Sequence, residues 1–338
     1  MKQLVNPSIV LDNHPQGAAK TSNFRIANQP IGELKPGEFL IENTWLSMDP
    51  YTRPRLNENT AYVEPIKLGE VIQGETIGKV VESNSPKYQV GDMVFTFSGW
   101  QKYCVGNDTD FMTYRLPDTV LSPTIFLSVA GTPGRAAYFG LNKIAKPKAG
   151  ETMVVSAASG AVGSVAGQLG KMAGCRVVGI AGSEDKCRYV VDELGFDVCV
   201  NYKSDNLGEE IEAACPNGVD IYFENVGGRI SALVARHLNE GARVPICGSA
   251  ALYNKGKHVD VSTLSRFYSS LPSVPESRFF LVTEWINDYA SSINWLTAAA
   301  ESGQLKFRET VTEGLENAPQ AFVDLLEGKH FGKQLVRV

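Results

Sequence analysis

The sequence lacks several features that define whole classes of protein. It contains no apolar run of about 18 residues, the length that a membrane-spanning helix requires. Its six cysteines never occur at C-x-x-C spacing, and most lie in apolar stretches. This pattern favours buried, reduced thiols over a disulfide framework or a zinc site. The four histidines, His14, His237, His258 and His330, are isolated from one another in sequence, so we expect no metal site.

Charge and composition exclude further classes. The formal net charge is −5, so the chain has no overall attraction for nucleic acid or for an anionic membrane, and we expect neither as a partner. Hydrophobic residues make up 43% of the sequence and charged residues 20%, as in ordinary globular proteins. The start, Met1 to Pro7, lacks the apolar core of a signal peptide, so we expect a cytoplasmic location. A length of 338 residues favours two domains.

The first 120 or so residues read as β-rich. Short apolar runs at 39–42, 77–82 and 92–97 are separated by glycines, a pattern that predicts a compact antiparallel barrel. Residues 334–338 alternate with period two, and we expect this strand to rejoin the barrel. The sequence therefore predicts one discontinuous domain formed by residues 1–123 and 300–338.

From about residue 150, continuous apolar strands alternate with helices. Strands are predicted at 152–156, 176–181, 197–200, 219–224, 242–247 and 278–282. Helices are predicted at 161–173, 184–194, 206–215 and 229–238. Alternation of this kind predicts an α/β fold with a parallel, doubly wound sheet covered on both faces, here over residues 124–299.

A glycine-containing turn joins the first of these strands to the first helix. It reads Ala158-x-Gly160-x-x-Gly163, with Ala161 and Val162 between the glycines, and alanine replaces the first glycine of the usual dinucleotide motif. Gly160 allows the backbone to approach a pyrophosphate, and Gly163 allows the helix to pack close to the strand. The alternative is an ordinary tight turn before a helix, but the flanking strand and helix favour a nucleotide cofactor.

The end of the second strand bears on which nicotinamide cofactor is used. NAD-binding proteins place a carboxylate there, whereas this chain has Gly182 and Ser183. Lys186 follows and, with Tyr202 after the third strand, suits a 2′-phosphate. The alternative for Lys186 is a solvated helix lysine beside Glu184 and Asp185. The absent carboxylate favours NADP over NAD.

Several segments together resemble a known family. They are 46–53, 131–138, 157–186, 201–203, 225–228 and 247–249. The chain resembles the zinc-independent medium-chain dehydrogenase/reductases, in the branch of leukotriene hydroxydehydrogenases, prostaglandin reductases, alkenal double-bond reductases and curcumin reductases. The resemblance implies a GroES-like β-barrel domain, a Rossmann domain, NADP(H) as cofactor, a small α,β-unsaturated carbonyl substrate and a homodimer. Gln73-Gly74-Glu75 stands where zinc-dependent relatives carry Gly-His-Glu.

The same resemblance assigns roles to individual residues. It implies that Tyr253 stabilises the enolate formed when hydride reaches the β-carbon, and that Tyr51 lines the substrate pocket. Further implied cofactor contacts are Asn225, Cys247, Gly248, Ser249 and His330. His330 replaces an asparagine that is common in the family. The alternative interpretation of each tyrosine is a packing residue. The alternative for Asn225 is a position in an ordinary turn.

Three functions remain open from the sequence. The leading one is NADPH-dependent reduction of the C=C bond of enones and enals. The second is zinc-free quinone reduction, which uses the same fold and cofactor but does not require Tyr253. The third is an NADPH-binding sensor or structural protein with little catalysis.

Overall fold

The structure is a computed structural model that describes residues 4–59, 64–254 and 262–338, so His258 lies outside the described residues. Its contacts divide these residues into two units. We call residues 4–59, 64–127 and 309–338 the β unit, and residues 128–254 and 262–308 the α/β unit. The boundaries between the units fall at 127/128 and 308/309, whereas the sequence predicts domain boundaries at 123/124 and 299/300.

The described residues form the following strands and helices. The strands are β1 (Val5–Leu11), β2 (Phe24–Pro30), β3 (Glu38–Ser47), β4 (Thr76–Ser83), β5 (Met93–Thr96), β6 (Tyr103–Asn107), β7 (Tyr114–Arg115), β8 (Thr152–Ser156), β9 (Arg176–Ala181), β10 (Val198–Asn201), β11 (Val219–Phe223), β12 (Leu238–Ile246), β13 (Glu276–Phe279), β14 (Glu309–Glu313) and β15 (Lys333–Arg337). The α-helices are α1 (Thr52–Arg55), α2 (Thr132–Phe139), α3 (Ala161–Met172), α4 (Glu184–Arg188), α5 (Leu207–Ala214), α6 (Gly228–Val234), α7 (Ser262–Ser269), α8 (Tyr289–Glu301) and α9 (Ala318–Leu326). Turns of 3₁₀ helix lie at Thr21–Asn23, Pro123–Leu127, Ala235–His237, Ala250–Leu252, Val282–Asp288 and Leu315–Asn317, and π turns at Gly140–Ala145 and Tyr189–Glu193.

The β unit contains a largely antiparallel sheet in the order β14-β15-β3-β4-β5-β7, with β6 also paired to β3. The C-terminal strand β15 pairs antiparallel with β3, placing Leu335 opposite Ser47. Aromatic side chains fill the core beneath this sheet, where the ring of Trp100 lies 5.7 Å from that of Phe24 and 5.4 Å from that of Phe322. Burial of such large apolar surfaces is the main source of stability for the unit.

The α/β unit is built on a parallel sheet in the order β10-β9-β8-β11-β12-β13. Numbered along the unit, this is the 3-2-1-4-5-6 order of a doubly wound dinucleotide-binding fold. The predicted α/β class and the Rossmann sheet are confirmed. The central strand β8 is buried along its whole length, which explains its continuous apolar sequence.

A few predicted elements differ from the observed ones. The helix predicted at 184–194 is α4 followed by a π turn, because the backbone widens after Arg188. The strand predicted at 278–282 is β13, which ends at Phe279, and a 3₁₀ turn begins at Val282. β13 ends at Phe279 because its last residue pair with β12 is Phe279 opposite Ile246.

Candidate active site

The turn after β8 has a shape that is fixed by its backbone. Ala157 adopts a left-handed conformation with φ of +52°, which is uncommon for a residue with a side chain. The N–H of Ala158 donates to the carbonyl oxygen of Ile180 across 3.0 Å, which fixes the turn against β9. Gly179 leaves little room here, since a Cβ on it would lie 2.9 Å from the Cβ of Ala158. The small alanine at the first motif position fits this space.

The glycines of the turn bring α3 close to β8. A Cβ added to Gly163 would lie 2.3 Å from the carbonyl oxygen of Ala157, so only glycine fits without a shift of the backbone. Gly160 is the N-cap residue of α3, and no side chain among the described residues caps this helix end. The half-buried Ala161 and Val162 begin the helix. The N–H groups of the first helical turn therefore suit an anionic ligand such as a pyrophosphate.

Four of the predicted residues gather at the ends of β9 and β10. The Ser183 hydroxyl caps α4 by accepting the N–H of Lys186 across 3.3 Å. The ring of Tyr202 lies over Gly182, where an added Cβ would approach a ring carbon to 2.8 Å. Lys186 is buried, and burial, with the nearby charge of Lys203, lowers the pKa of its ammonium group.

The neighbouring carboxylates are already engaged. Glu184 accepts a hydrogen bond from the Asn201 amide across 2.8 Å, and Asp185 pairs with Arg188. The cluster therefore holds Lys186 and Lys203 beside two carboxylates, of which Asp185 is in an ion pair and Glu184 is hydrogen-bonded. Lys203 is not among the site residues predicted from the sequence, although it directly follows Tyr202 in the motif.

A second cluster lies at the carboxyl ends of β8, β11 and β12. The Asn225 side chain donates to the carbonyl oxygen of Ser156 across 2.7 Å, and its backbone N–H donates to the Ser156 hydroxyl across 2.9 Å. The N–H groups of Cys247 and Gly248 donate to the carbonyl oxygen of Glu224 across 2.8 and 3.1 Å. These bonds join the three strand ends, where parallel sheets bind ligands.

Tyr253 belongs to this second cluster. It is buried, and its phenolic oxygen accepts the N–H of Ser249 across 3.4 Å. A Cβ on Gly248 would lie 3.2 Å from the carbonyl oxygen of Asn225 and 3.3 Å from the Tyr253 oxygen. The structure thus brings together Asn225, Gly248, Ser249 and Tyr253. Lys186 and Tyr202 lie apart from them, at the ends of β9 and β10.

A buried carboxylate that is not among the predicted site residues also shapes this cluster. Glu224 is fully buried and accepts the backbone N–H groups of Val226 and Gly227, each across 2.9 Å. It also accepts the hydroxyl of Tyr268 across 2.8 Å and that of Ser231. A charged residue directly after the apolar strand β11 was the available signal, because buried carboxylates occur where donors surround them.

The β unit carries the two remaining predicted residues. Tyr51 precedes α1, and its hydroxyl is buried with no hydrogen-bond partner among the residues that the structure describes. Burial, with the negative charges of Asp49 and Glu75, raises the pKa of Tyr51 well above its ordinary value. Lys333 donates to the carbonyl oxygen of Met48 across 2.9 Å and pairs with Asp49. His330 lies half-buried in a bend before β15.

The segment Gln73-Gly74-Glu75 contains no histidine for zinc, and Gln73 instead accepts a hydrogen bond from Arg55. Within residues 4–59, 64–254 and 262–338, no group of three or more His, Cys, Asp or Glu side chains is arranged to hold a metal ion. Among the same residues, no helix is both long and apolar enough to cross a bilayer.

Two family models match the chain. Residues 8–114 match the N-terminal domain of oxidoreductase, and residues 161–296 match the family described as zinc-binding dehydrogenase. The second description names a metal for which the described residues offer no ligand set. The first match lies in the β unit and the second in the α/β unit, in the order that the resemblance implies.

Named relatives indicate the branch of the family that this chain resembles. The chain is 41% identical to the NADPH-dependent curcumin reductase of Escherichia coli K12, over 97% of this chain and 96% of that protein. It is 35% identical to the NADP⁺-dependent 2-alkenal reductase of Nicotiana tabacum, over 100% of this chain and 98% of that protein. The crystal structure of CurA from Vibrio vulnificus in complex with NADPH matches with a TM-score of 0.91 at 39% identity, over 98% of this chain and 99% of that one. The chain therefore belongs to the zinc-independent medium-chain dehydrogenase/reductases, in the branch that contains the curcumin and 2-alkenal reductases.

Proposed function

We propose that the protein is an NADPH-dependent reductase of the C=C bond of α,β-unsaturated ketones and aldehydes. The observation that carries the proposal is the pair of clusters at the carboxyl ends of one parallel sheet. The first, around Lys186, suits a 2′-phosphate, and the second places the Tyr253 hydroxyl beside Gly248. The names of the curcumin and alkenal reductases support the same chemistry.

The residues present fit the cofactor. Gly160 and the first turn of α3 would hold the pyrophosphate, and Gly163 permits the close packing that this requires. Ser183, Lys186 and Tyr202 would hold the 2′-phosphate, with Lys203 adding positive charge. Asn225 and the segment Cys247-Gly248-Ser249 would line the nicotinamide end. When bound, NADPH supplies the hydride that the β-carbon of the substrate accepts.

Tyr253 would hydrogen-bond the carbonyl oxygen of the substrate. As the β-carbon gains hydride, negative charge develops on that oxygen, and a donor aimed at it lowers the barrier. The Ser249 N–H donates to the phenolic oxygen, which polarises the O–H bond and makes the hydroxyl a stronger donor. A tyrosine held in this way replaces the Lewis acid that zinc-dependent relatives employ.

We also propose that Tyr51 lines the substrate pocket, as the family pattern implies. An ordinary tyrosine is already neutral in the physiological range, and the raised pKa of Tyr51 keeps its phenol neutral at higher pH as well. A neutral phenol in buried surroundings suits an uncharged enone better than a charged side chain would. We assign His330 no role beyond the cofactor contact that the family pattern implies.

The proposal also includes a homodimer formed through the edge of the α/β sheet. β13 lies at that edge, and the neighbouring Val274 and Leu281 are 57% and 45% exposed. An edge strand flanked by exposed apolar side chains favours pairing with a second copy. Light scattering coupled to size-exclusion chromatography tests this, and a monomer at micromolar concentration would contradict it.

An acceptor panel tests the proposed activity. Consumption of NADPH and NADH is followed with a simple enone, a medium-chain alkenal, a phenolic enone and a quinone. We expect turnover of the enones or alkenals with a preference for NADPH. Turnover of the quinone alone would contradict the proposal, and tight NADPH binding without turnover of any acceptor would assign the protein to the sensor class.

A further inference from the structure

Two cysteines of the α/β unit lie in contact. The sulfur of Cys187 on α4 is 3.1 Å from the sulfur of Cys199 on β10. Cys187 is buried and Cys199 is half-buried. A disulfide has a sulfur–sulfur bond of about 2.05 Å, so the two atoms need to approach by only about 1 Å. By contrast, the sulfur of the buried Cys175 contacts the backbone carbonyl of Lys148.

The contact makes the two thiols chemically unequal. The Cys199 thiol donates to the sulfur of Cys187, which lowers the pKa of Cys187. The same contact, together with burial, raises the pKa of Cys199. Since the thiolate is the reactive form, Cys187 is the nucleophile of the pair and Cys199 is the resolving thiol.

The pair also lies within the predicted phosphate-binding cluster. Cys187 directly follows Lys186, in the helix that Ser183 caps. Cys199 lies on β10, which ends at Asn201 directly before Tyr202. A bond between the two sulfurs would therefore tie together the two elements that carry the phosphate-binding side chains.

We propose that Cys187 and Cys199 form an oxidation site for hydroperoxides, and that their disulfide weakens binding of the cofactor's 2′-phosphate. The second half of this proposal rests on the proposed function, because it takes NADPH as the cofactor. Formation of the disulfide itself does not depend on that assignment.

With hydrogen peroxide as the hydroperoxide, the chemistry balances with one peroxide per disulfide. The Cys187 thiolate attacks the peroxide, so that a sulfur–oxygen bond forms, the oxygen–oxygen bond breaks and water leaves after protonation. The Cys199 sulfur then attacks the resulting sulfenic acid. A sulfur–sulfur bond forms, the sulfur–oxygen bond breaks and a second water leaves. The two thiols lose two electrons in total, and the hydrogen peroxide gains them.

The first experiment locates the bond. The full-length reduced protein is treated with hydrogen peroxide, alkylated and digested, and its peptides are identified by mass spectrometry. We expect a linked pair containing Cys187 and Cys199 in the wild type and in the matched control Cys175→Ser. We expect none in Cys199→Ser, where dimedone should instead label Cys187. Absence of the linked pair in oxidised wild type would overturn the proposal.

The second experiment measures the consequence. Dissociation constants for NADPH and NADH are determined by calorimetry on reduced, oxidised and dithiothreitol-recovered protein. We expect oxidation to raise the dissociation constant for NADPH at least about fivefold and to leave that for NADH unchanged. An unchanged NADPH affinity in linked protein would refute the coupling. Failure of the reduced protein to prefer NADPH would instead count against the proposed function.

Discussion

The backbone N–H of Ser249 donates to the phenolic oxygen of Tyr253 across 3.4 Å, four residues along the same loop. The bond fixes the hydroxyl beside Gly248, at the carboxyl end of β12. The same hydroxyl has two hydrogen bonds in our proposal. Its oxygen accepts from the backbone, and its hydrogen is donated to the substrate. We therefore expect removal of the Tyr253 hydroxyl to affect the chemical step more than cofactor binding.

We expect Tyr253→Phe to lower kcat about 100-fold for enone reduction, since loss of one donor to a developing oxyanion costs that much in other enzymes. The dissociation constant for NADPH should stay unchanged because the ring keeps its packing. Steady-state kinetics and cofactor titration measure both. A kcat equal to that of the wild type would show that another group stabilises the enolate.

Lys186 provides the second prediction. We expect Lys186→Ala to raise the dissociation constant for NADPH about ten- to a hundredfold, because a hydrogen bond to a charged group contributes about 1.5–3 kcal/mol. Affinity for NADH should barely change. Lys203→Ala should show a smaller effect of the same kind.

The exposed Lys143 pairs with Asp288 across 2.8 Å in the α/β unit. Lys143→Ala removes the same charge outside the proposed cofactor site, so it serves as the matched control for Lys186→Ala and should leave both affinities unchanged. An equal loss of NADPH and NADH affinity in Lys186→Ala would indicate a structural effect rather than loss of phosphate recognition.

Much of the fold could be predicted from the sequence because its signals are local. The buried strands β8 and β9 are continuous apolar runs, and their predicted bounds match the observed Thr152–Ser156 and Arg176–Ala181. The turn from Ala158 to Gly163 could be predicted as well, because strand, glycines and helix follow one another directly along the chain.

Features that depend on tertiary contacts could not be predicted in this way. Glu224 receives the hydroxyl of Tyr268 from 44 residues further along the chain. Asp49 pairs with Lys333 from the opposite end of the sequence. The Cys187–Cys199 contact joins a helix to a strand. No local sequence pattern predicts such pairs, because the two residues of each pair come together only when the chain folds.

Gly163 supplies a prediction about stability. We expect Gly163→Ala to destabilise the protein by about 1–3 kcal/mol, since its Cβ would lie 2.3 Å from the carbonyl oxygen of Ala157. NADPH binding should weaken as well, because α3 must shift away from the turn. Urea denaturation and cofactor titration measure the two effects.

Gly208 in α5 offers a matched control. A Cβ there would meet its nearest neighbour, a methyl carbon of Leu233, at an ordinary 3.5 Å. Gly208→Ala should therefore fold with unchanged or slightly higher stability, since alanine favours helix by up to about 1 kcal/mol. Equal stability of the two variants would contradict the close packing of α3 on the turn.

Glu224 should be required for the stability of the second cluster. We expect Glu224→Gln to cost about 2–3 kcal/mol, because an amide nitrogen would face N–H and O–H donors that now have an acceptor. Thermal unfolding should shift downward by several degrees. The exposed Glu82 on β4 offers the control Glu82→Gln, which should melt with the wild type. An unchanged melting temperature for Glu224→Gln would show that the donors find other partners.

The most direct test of the proposed reaction follows the hydride itself. The protein reduces an enone with NADPH that carries deuterium in place of the transferred hydrogen, and the product is analysed by NMR. We predict a saturated ketone with deuterium on the former β-carbon. Deuterium on the carbonyl carbon, in an allylic alcohol, would contradict C=C reduction and the role proposed for Tyr253.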